Sequence, residues 1–415
     1  MRDLSCVPLA EFADVSMGQS PNSESCNRDE RGLPFLQGSA EFGRRSPSTT
    51  TFCSPPLRIG KVGSVLISVR APVGTMNFAD QDYCIGRSLG AFKGRESVSS
   101  TVFLKHAVEH NVGYLHRRSQ GSTFAAISSN DLRSLPVPRF PLEKQKHIAS
   151  IFDSIDMAIE RTEALIKKYQ HIKTGLMHDL FTHGVLPNGQ LRPPREQAPE
   201  QYRETAIGWI PVEWQYELLD KLAIRGSGHT PNKDHAEYWK GGVKWVSLAD
   251  SSRLDQLYIH ETELEISHIG IQNSSAVLHP TGIVVLSRDA GVGKSAITTS
   301  PMAVSQHFMC WKCDEKMDNH FLYYWLQHNK RTFENIAMGS TILTIGLPYF
   351  KRLKIACPVD LREQRAIAEK LTAVDTRLFS LMTDLTKKRQ QKLGLMQDLL
   401  TGKVKVNLPL PERSL

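Results

Sequence analysis

Two stretches of this chain repeat each other at a fixed offset, and this repeat constrains the fold more than any other feature. The stretch from Leu142 (LEKQKHIASIFDSIDMAIERTEALIKKYQHIKTGLMHDLFTHG) aligns without a gap with the stretch from Leu361 (LREQRAIAEKLTAVDTRLFSLMTDLTKKRQQKLGLMQDLLTGK). Identical pairs include Gln145/Gln364, Asp156/Asp375, Lys173/Lys392 and the block Gly175-Leu176-Met177/Gly394-Leu395-Met396. A repeat of this length predicts a chain built from two similar halves.

Both stretches have the apolar spacing of a long helix that pairs along a narrow seam, because apolar side chains recur at alternating intervals of three and four. Lys173 and Lys392 interrupt this pattern at equivalent places and are expected either to extend to solvent or to fix the register. Two separate amphipathic helices are the alternative. The predicted seam consists of Ile148, Phe152, Ile155, Ile159, Ile166, Leu176 and Leu180, and of Ile367, Leu371, Val374, Leu378, Leu381, Leu385, Leu395 and Leu399.

The segments that precede the two helices also correspond, although more weakly. Ser16–Pro21 parallels Ser227–Pro231, and the apolar run Val65–Ser68 parallels Ile283–Ser287. Gly121-Ser122-Thr123 parallels Gly339-Ser340-Thr341. Short β-branched runs between glycines predict mixed α/β domains of about 140 residues. Between the halves, His183–Pro211 contains several prolines in a polar stretch and is expected to be an extended surface linker.

The expected class is α+β: two α/β domains and two long helices that form an antiparallel coiled coil, with a pseudo-two-fold internal repeat. The predicted boundaries are 1–141 for the first domain, 142–184 for the first helix and 185–212 for the linker. The second domain covers 213–360, the second helix 361–404 and the C-terminal tail 405–415. A helix of about 40 residues is about 60 Å long, so an antiparallel pair is expected to hold the two domains at opposite ends of a rod.

Composition indicates a globular protein with a basic surplus. The 415 residues include 51 Lys and Arg against 43 Asp and Glu, a net charge of +8, which allows a polyanionic partner without requiring one. There is no apolar run of about 18 residues and no apolar signal core near the N-terminus, and the seven cysteines are irregularly spaced. These features predict a soluble intracellular protein.

The whole chain resembles the specificity subunit (HsdS) of a type I restriction–modification enzyme. The resemblance is carried by the helix ends GLMHDLFTHG and GLMQDLLTGK, by the block Glu204–Pro211 (ETAIGWIP) and by the two Gly-Ser-Thr segments. One departure is that the first half lacks a counterpart of Ile207–Pro211, because the chain opens directly at Val7-Pro8-Leu9. The start of the first domain therefore differs from that of the second.

The resemblance implies that the two globular parts are target recognition domains, each of which reads half of a split site in double-stranded DNA. The helices would act as a spacer and as the docking surface for two methyltransferase (M) subunits, which restriction (R) subunits would join. The chain itself would be non-catalytic, with no metal site, and S-adenosylmethionine, ATP and Mg²⁺ would be bound by the partner subunits. The location implied is the cytoplasm of a bacterial or archaeal cell.

Candidate DNA-binding residues are polar and basic side chains in the loops of each globular part. Lys and Arg contact phosphates, whereas Arg, Lys, Asn, Gln, Ser and Thr read base edges in the major groove. Those in the first part are Ser16, Gln19, Ser20, Arg44, Arg45, Arg70, Arg87 and Lys93. Those in the second are Arg225, Ser227, His229, Thr230, Asn232, Lys233, Arg253, Arg288, Lys294, Gln306 and His307. Because the two sets differ, the half-sites are expected to differ.

Three motifs that could signal chemistry are incomplete. Gly291–Ser295 (GVGKS) lacks the first glycine of a phosphate-binding loop, since that position is Arg288. Cys310 and Cys313 form a single CxxC without a second pair, and Asp314-Glu315-Lys316 has no matching acidic residue upstream. Two rival functions stay open. One is a self-contained restriction or methylation enzyme, and the other is a coiled-coil adaptor that never binds DNA.

Overall fold

The structure is a computed structural model that describes residues 5–119, 126–338 and 344–406. The chain divides into two compact units: unit 1, with Met1–Ala164 and Met382–Leu415, and unit 2, with Leu165–Leu381. Each unit combines a globular part with the first half of one long helix and the second half of the other. The two Gly-Ser-Thr segments and most of the C-terminal tail lie outside the described residues.

Unit 1 is built around two sheets. A four-stranded antiparallel sheet has the order Ala13–Met17, Leu89–Gly94, Val65–Ser68, Met76–Phe78. A mixed five-stranded sheet has the order Cys26–Asn27, Phe52–Cys53, Leu33–Leu36, Tyr83–Ile85, Ile59–Gly60, and Cys6–Pro8 pairs with Pro136–Pro138. The short helices are Leu9–Phe12, Thr101–His110, Val112–Ser119 and Ser129–Arg133.

Unit 2 repeats this plan with differences. A five-stranded sheet has the order Ala223–Ser227, Phe308–Cys313, Val284–Ser287, Ser295–Thr298, Tyr258–Ile259, and a three-stranded sheet the order Leu264–Ile266, Trp239–Val246, Ala303–Val304. Tyr202–Thr205 pairs with Gly208–Pro211, and Trp214–Leu218 pairs with Lys354–Pro358. The short helices are His268–Gln272, Asn319–His328, Lys330–Met338 and Leu347–Lys351.

The central strands of the two units follow the same register. Ser68 pairs with Leu89 in unit 1, and Ser287, which is 219 positions later, pairs with Phe308 in unit 2. Val65–Ser68 and Val284–Ser287 are buried along their whole length, as expected for apolar, β-branched strands covered on both faces. The repeat that is obvious in the helices therefore extends through the globular parts.

The two long helices are Leu142–His183 and Leu361–Leu400, called here the first and second long helix. Just beyond their C-terminal ends lie Gly184 and Gly402, both with φ of 72°. That left-handed conformation is the usual C-terminal cap and strongly favours glycine. The chain therefore ends both helices by the same local device.

Within each unit the two helix segments run antiparallel. In unit 1, Asp156 lies 2.9 Å from Lys392 and Glu163 lies 2.7 Å from Arg389, so one residue number rises as the other falls. In unit 2, Lys173 lies 2.6 Å from Asp375, and Leu180 packs in the cluster that contains Ile367. The predicted mixed fold with an internal repeat and antiparallel long helices is confirmed.

The apolar stripe of each long helix is covered in the structure. Of the predicted seam, Ile148, Phe152, Leu180, Ile367, Leu371, Leu378, Leu381 and Leu399 are buried, and Ile155, Ile159, Ile166, Leu176, Val374, Leu385 and Leu395 are half-buried. Several large apolar side chains elsewhere on the helices are exposed, notably Phe379 (70%) and Leu393 (68%). The helices therefore keep an exposed apolar surface beyond the stripe that they bury.

The duplicated glutamines attach each long helix to its own globular part. The fully buried Gln145 accepts a hydrogen bond from Ser100 N (2.9 Å) and donates one to Phe140 O (2.8 Å). The equally buried Gln364 accepts from Asp318 N (2.8 Å) and donates to Pro358 O (2.8 Å). Since a buried amide is costly unless its groups are satisfied, these residues fix where each helix begins against its domain.

The segment His183–Pro211, expected to be an extended surface linker, is folded onto unit 2 instead. Arg192 is only 3% exposed; it donates to His183 O and lies 3.3 Å from Glu213. Glu363, near the start of the second long helix, accepts hydrogen bonds from Val185 N and Trp214 Nε1, each at 3.0 Å. The sequence predicted an extended surface linker, because prolines and polar residues give no sign of this partly buried polar cluster.

Among the described residues, no helix is both long enough and apolar enough to cross a lipid bilayer. Both long helices exceed 18 residues, but their exposed faces are rich in Lys, Arg, Asp and Glu.

Candidate nucleic-acid interface

In unit 1, two of the loops that supply predicted DNA-binding residues meet. The backbone N of Gln19 donates to Ile85 O (2.9 Å), and Ser20 Oγ accepts from the backbone N of Arg87 (3.3 Å). A Cβ on Gly18 would lie 2.2 Å from Gly86 O, so only glycine permits this approach. Gln19, Ser20 and Arg87 are all exposed on the resulting double loop, called reading loop 1 (Gly18–Pro21 with Ile85–Ser88).

Unit 2 builds the same double loop from its equivalent segments. The backbone N of His229 donates to Val304 O (3.0 Å), and the hydroxyl of Thr230 donates to Oε1 of Gln306. A Cβ on Gly228 would lie 1.8 Å from Val304 O. This is reading loop 2 (Gly228–Lys233 with Ser305–His307). At the position of Arg87, 219 residues later, it carries Gln306, so the scaffold repeats while the exposed side chains differ.

A cavity of about 520 Å³ lies beside reading loop 2. Its walls are mainly apolar, with Trp239, Trp245 and Leu264, whereas Thr230, Lys233, Gln306 and His307 from the reading loop line it as well. The two indoles meet edge to face with their ring centroids 5.2 Å apart. Each also supports the loop, since Trp245 Nε1 donates to His229 O (3.1 Å) and Trp239 Nε1 to Asn232 O (3.2 Å).

Several predicted DNA-binding residues of unit 1 contact other residues of the chain, although Arg44, Arg45 and Lys93 remain exposed. Arg45 Nη2 lies 2.8 Å from Glu160 on the first long helix, and Arg44 donates to the backbone oxygen of the same residue (2.7 Å). Lys93 Nζ donates to Val62 O (2.8 Å), and Ser16 is half-buried within its strand. The arginine pair therefore braces a loop against the helix, a role that its position in the sequence did not indicate.

Unit 2 likewise engages much of its predicted set internally. Arg225 pairs with Asp220 (3.0 Å), and Arg253 pairs with Asp250 (2.8 Å) and Glu263 (2.9 Å). Other members of the predicted set are held by neighbouring loops: Arg288 donates to Ile345 O (2.9 Å), Lys294 Nζ to Ser251 O (2.9 Å), and His307 Nδ1 lies 2.7 Å from Asp289.

The predicted residues that are exposed and have no ion pair in the described part of the chain lie at the reading loops and at a few other positions. Arg70, Arg87 and Lys233 are exposed and have no side-chain ion pair within the described part of the chain. His229, Asn232, Gln306 and Ser227 are exposed with them in unit 2. These side chains can donate to phosphates or base edges without breaking a contact inside the protein. Of the predicted residues, they fit DNA contact better than the internally paired ones.

The two lysines that interrupt the apolar stripe form half-buried bridges between the helix segments. Lys173 pairs with Asp375, which also accepts a hydrogen bond from Tyr324 Oη (3.0 Å). Lys392, 14% exposed, pairs with Asp156 (2.9 Å) and with Glu109 (3.0 Å) of the helix Thr101–His110. Because Lys173/Lys392 and Asp156/Asp375 are repeat pairs, the same bridge is made once in each unit.

The bridge of unit 1 shifts the protonation of its members. Burial by itself would raise the pKa of Glu109, but contact with His106 and the charges of Lys105 and Lys392 outweigh it and lower that pKa far below its usual range. Burial opposes the charge of Lys392, yet Glu109 and Asp156 raise its pKa above the usual value. Each group therefore keeps its charge in the folded protein at neutral pH.

The incomplete motifs of the sequence have structural roles. Gly291–Ser295 forms the turn between two strands of the unit 2 sheet, with Gly291 and Gly293 at φ of 101° and 87°. Cys310 is buried in a strand, where burial raises the pKa of its thiol to about 12, so it is a poor nucleophile. In the described residues, no group of three or more His, Cys, Asp or Glu side chains is placed to hold a metal ion.

Sequence reasoning missed the aromatic wall of the cavity and the carboxylate partners of the bridges. Trp239 and Trp245 are six residues apart, close after Lys233, and aromatic side chains near a basic loop are a recognisable feature of nucleic-acid-binding surfaces. Glu109 carries no comparable signal, because its contact with Lys392 joins residues 283 positions apart in the chain. Only the fold could bring that pair together.

The sequence of this chain is similar to those of known proteins. Residues 1–169 and 211–393 match the family described as "Type I restriction modification DNA specificity domain". The chain is 36% identical over 172 residues to the putative type I restriction enzyme MjaX specificity subunit of Methanocaldococcus jannaschii, an alignment that covers 41% of this chain and 40% of that one. It is 24% identical over 323 residues to the MjaVIII specificity subunit of the same organism, covering 75% and 72%.

A solved structure shares the fold. The type I restriction–modification S subunit from M. genitalium superposes with a TM-score of 0.63 at 13% identity, covering 95% of this chain and 96% of that one. Since the family match spans most of the sequence in two blocks, this chain belongs to the family of type I restriction–modification DNA specificity domains, with two copies in tandem.

Proposed function

We propose that this chain is the DNA sequence-recognition subunit of a type I restriction–modification complex, and that each unit reads one half of a bipartite site. The observation that carries this proposal is the pair of reading loops. Both are built by the same backbone contacts on a repeated scaffold, yet they expose different side chains, with Arg87 in one and Gln306 in the other. A repeated frame with unlike exposed residues suits an asymmetric split motif.

The long helices would set the distance between the half-sites. Continuous helices of 42 and 40 residues do not stretch, so the gap in the DNA would be a fixed property of the chain. Half-sites read from one face of the duplex lie about one helical turn apart, about 34–36 Å. In this proposal, the duplicated Lys–Asp bridges keep the helices in register and thereby keep the gap constant.

The helix surfaces away from the seam would hold the partners. Lys167, Lys168 and Lys387 are exposed and are candidates for contacts with two copies of a methyltransferase subunit, together with the half-buried Tyr169 and Lys388. Arg389 is also exposed, although it pairs with Glu163. A repeated chain offers two related faces, which fits two copies of one partner. A restriction subunit would complete a nuclease-active complex, and its absence would leave a modification-only system.

Catalysis would belong to those partners. In this proposal, S-adenosylmethionine, ATP and Mg²⁺ are bound by the methyltransferase and restriction subunits, and the present chain contributes sequence recognition. The complex would work in the cytoplasm of a bacterial or archaeal cell. The family of the chain supports this division, since the two relatives from Methanocaldococcus jannaschii are named as specificity subunits, whereas a self-contained enzyme would need an active site of its own.

Mapping of DNA methylation in cells that express this chain with its methyltransferase tests the proposal. We expect one asymmetric split motif with methylated adenine on both strands. Deleting seven residues from each long helix at repeat-equivalent positions should change the gap and leave both half-motifs intact. A motif with an unchanged gap would contradict the role of the helices as a spacer.

Assays on the purified chain, alone and bound to its methyltransferase, distinguish the rival functions. A self-contained enzyme predicts cleavage or methylation by the purified chain alone, measured on plasmid DNA with all cofactors supplied. A coiled-coil adaptor predicts no retention of DNA even when the methyltransferase is bound. Sequence-specific DNA binding by the complex, without activity of the isolated chain, is the outcome expected for a recognition subunit.

A further inference from the structure

The cavity beside reading loop 2 combines an apolar wall with a polar rim, and this combination restricts what it can bind. Leu264 is 43% exposed and Trp239 is half-buried, so apolar surface is open to a ligand. Both indole N–H groups are already used to hold the loop. The hydroxyl of Ser247 is engaged with Asp250 (3.3 Å). The wall therefore offers few free hydrogen-bonding groups.

The rim presents one oriented donor. Gln306 is exposed, and its Oε1 accepts the hydroxyl of Thr230. This contact turns the amide so that Nε2 is the end left to bind a ligand. A glutamine that reads adenine uses its oxygen and nitrogen together. Gln306, with its oxygen engaged, is instead suited to donate to an acceptor on a base edge, such as O4 of thymine or O6 of guanine.

Ser305 adds one polar group to the wall of the cavity. It is fully buried in the cavity wall, and its hydroxyl has no hydrogen-bond partner within the described residues. A desolvated hydroxyl without a partner is costly, and such groups in native proteins call for an explanation. A polar ligand edge seated at this rim, with a small adjustment of the loop, would give it one.

Building on the proposed DNA-reading role, we infer that this cavity reads the major-groove edge of a thymine, with the 5-methyl group against Trp239 and Leu264 and O4 at Gln306. Thymine is the base whose major-groove edge places a methyl group beside an acceptor. An extruded base fits less well, because its Watson–Crick edge requires several hydrogen bonds that this wall does not supply. Lys233 stands at the rim to contact a neighbouring phosphate.

The test uses the full chain bound to its methyltransferase and duplexes that carry the mapped site. Each thymine in both half-sites is replaced singly by uracil, which removes only the methyl group, and the dissociation constant is measured by fluorescence anisotropy. Burial of one methyl group corresponds to about a fourfold change in affinity. We expect that loss at one thymine of the half-site read by unit 2. A loss below twofold at every position would overturn the inference.

Variants assign the effect to the cavity. Leu264→Ser and Trp239→Ala should bind the thymine and uracil duplexes equally at that position, and Gln306→Ala should weaken binding to both. Val277→Ser, which alters a similarly exposed apolar side chain (49%) outside the cavity, should keep the full discrimination. Discrimination that survives in Leu264→Ser and Trp239→Ala would overturn the inference. If the unaltered complex shows no sequence-specific binding to DNA at all, the proposed function itself is refuted.

Discussion

Unit 1 and unit 2 agree where side chains are buried and differ where they meet solvent. Gln145 and Gln364 make the same pair of hydrogen bonds from the same place in their helices. The central strands share one register, whereas the exposed position that is Arg87 in unit 1 is Gln306 in unit 2. The repeat therefore preserves the buried contacts of each unit. The exposed side chains, which are the ones that could contact DNA, differ between the units.

One half-buried position breaks the agreement. The helices Thr101–His110 and Asn319–His328 correspond at an offset of 218, so Glu109 in unit 1 corresponds to Gln327 in unit 2. Lys392 consequently neutralises two carboxylates, Glu109 and Asp156, whereas Lys173 pairs with Asp375, which also has a hydrogen bond from Tyr324. The two bridges use equivalent residues, but Lys392 pairs with two carboxylates and Lys173 pairs with one.

The largest expected effect comes from removing these lysines. Lys392→Met removes one of the two lysines that contact Glu109 and Asp156, since Lys105 stays 2.9 Å from Glu109 and 3.8 Å from Asp156. It should lower the free energy of unfolding of unit 1 by about 2 kcal/mol, because the bridge is half-buried. Lys173→Met should cost unit 2 about half as much, because Tyr324 still donates to Asp375. All six tryptophans lie in unit 2, so their fluorescence during urea unfolding reports that unit, and peptide-resolved hydrogen exchange reports unit 1.

Lys387→Met is the matched control, since that lysine is exposed on the second long helix. It should change the stability of either unit by less than about 0.5 kcal/mol. Equal losses in Lys392→Met and Lys173→Met would show that Glu109 adds nothing to the bridge of unit 1.

A smaller effect concerns pH, because each unit contains one equivalent histidine whose pKa burial lowers, His110 in unit 1 and His328 in unit 2. Burial, with a contribution from the charge of His178, lowers the pKa of His328, so its neutral form stabilises unit 2 above about pH 6.5 and this stability is lost as the pH falls further. The lowered pKa of Glu109 stabilises unit 1 above about pH 4.5, with loss below it. His328→Gln should therefore flatten the decline of unit 2 between pH 7.5 and 5.5.

The matched variant is Glu109→Gln, which should leave that decline unchanged and weaken unit 1 at neutral pH. Tryptophan fluorescence during urea unfolding at each pH gives the comparison for unit 2, and hydrogen-exchange pulse labelling gives it for unit 1. A decline of unit 2 that is as steep in His328→Gln as in the unaltered chain would show that this histidine is not the titrating group.

The smallest expected effect concerns two arginines of unit 1. Arg87 is exposed without an ion pair in the described residues, so Arg87→Ala should reduce the slope of log affinity for DNA against log salt concentration by about one. Arg45 already pairs with Glu160, so Arg45→Ala should leave that slope nearly unchanged. Fluorescence anisotropy of the complex with DNA over a series of salt concentrations measures both slopes. A larger change for Arg45→Ala than for Arg87→Ala would show that Arg45, and not Arg87, contacts a phosphate.

The sequence predicted features that depend on neighbouring residues and missed features that depend on residues far apart in the chain. The helix stripe was readable because its period is local, and every member of the predicted seam is buried or half-buried. The meeting of Ser16–Pro21 with the loop that contains Arg87 was not readable, because strand pairing joins them. The linker was misjudged for a related reason, since the burial of Arg192 depends on Glu213 and on Glu363, which is far along the chain.

The amino-acid sequence by itself determined that this protein is a duplication, with two long helices whose apolar stripes require a partner. Periodicity and repetition are properties of order along the chain, so they need no coordinates. Only the tertiary structure decided which charged residues already pair with another residue of the chain and which do not, because ion pairs such as Arg45–Glu160 and Lys392–Glu109 join distant segments. The residues that remain free to contact DNA can therefore be identified only from the structure.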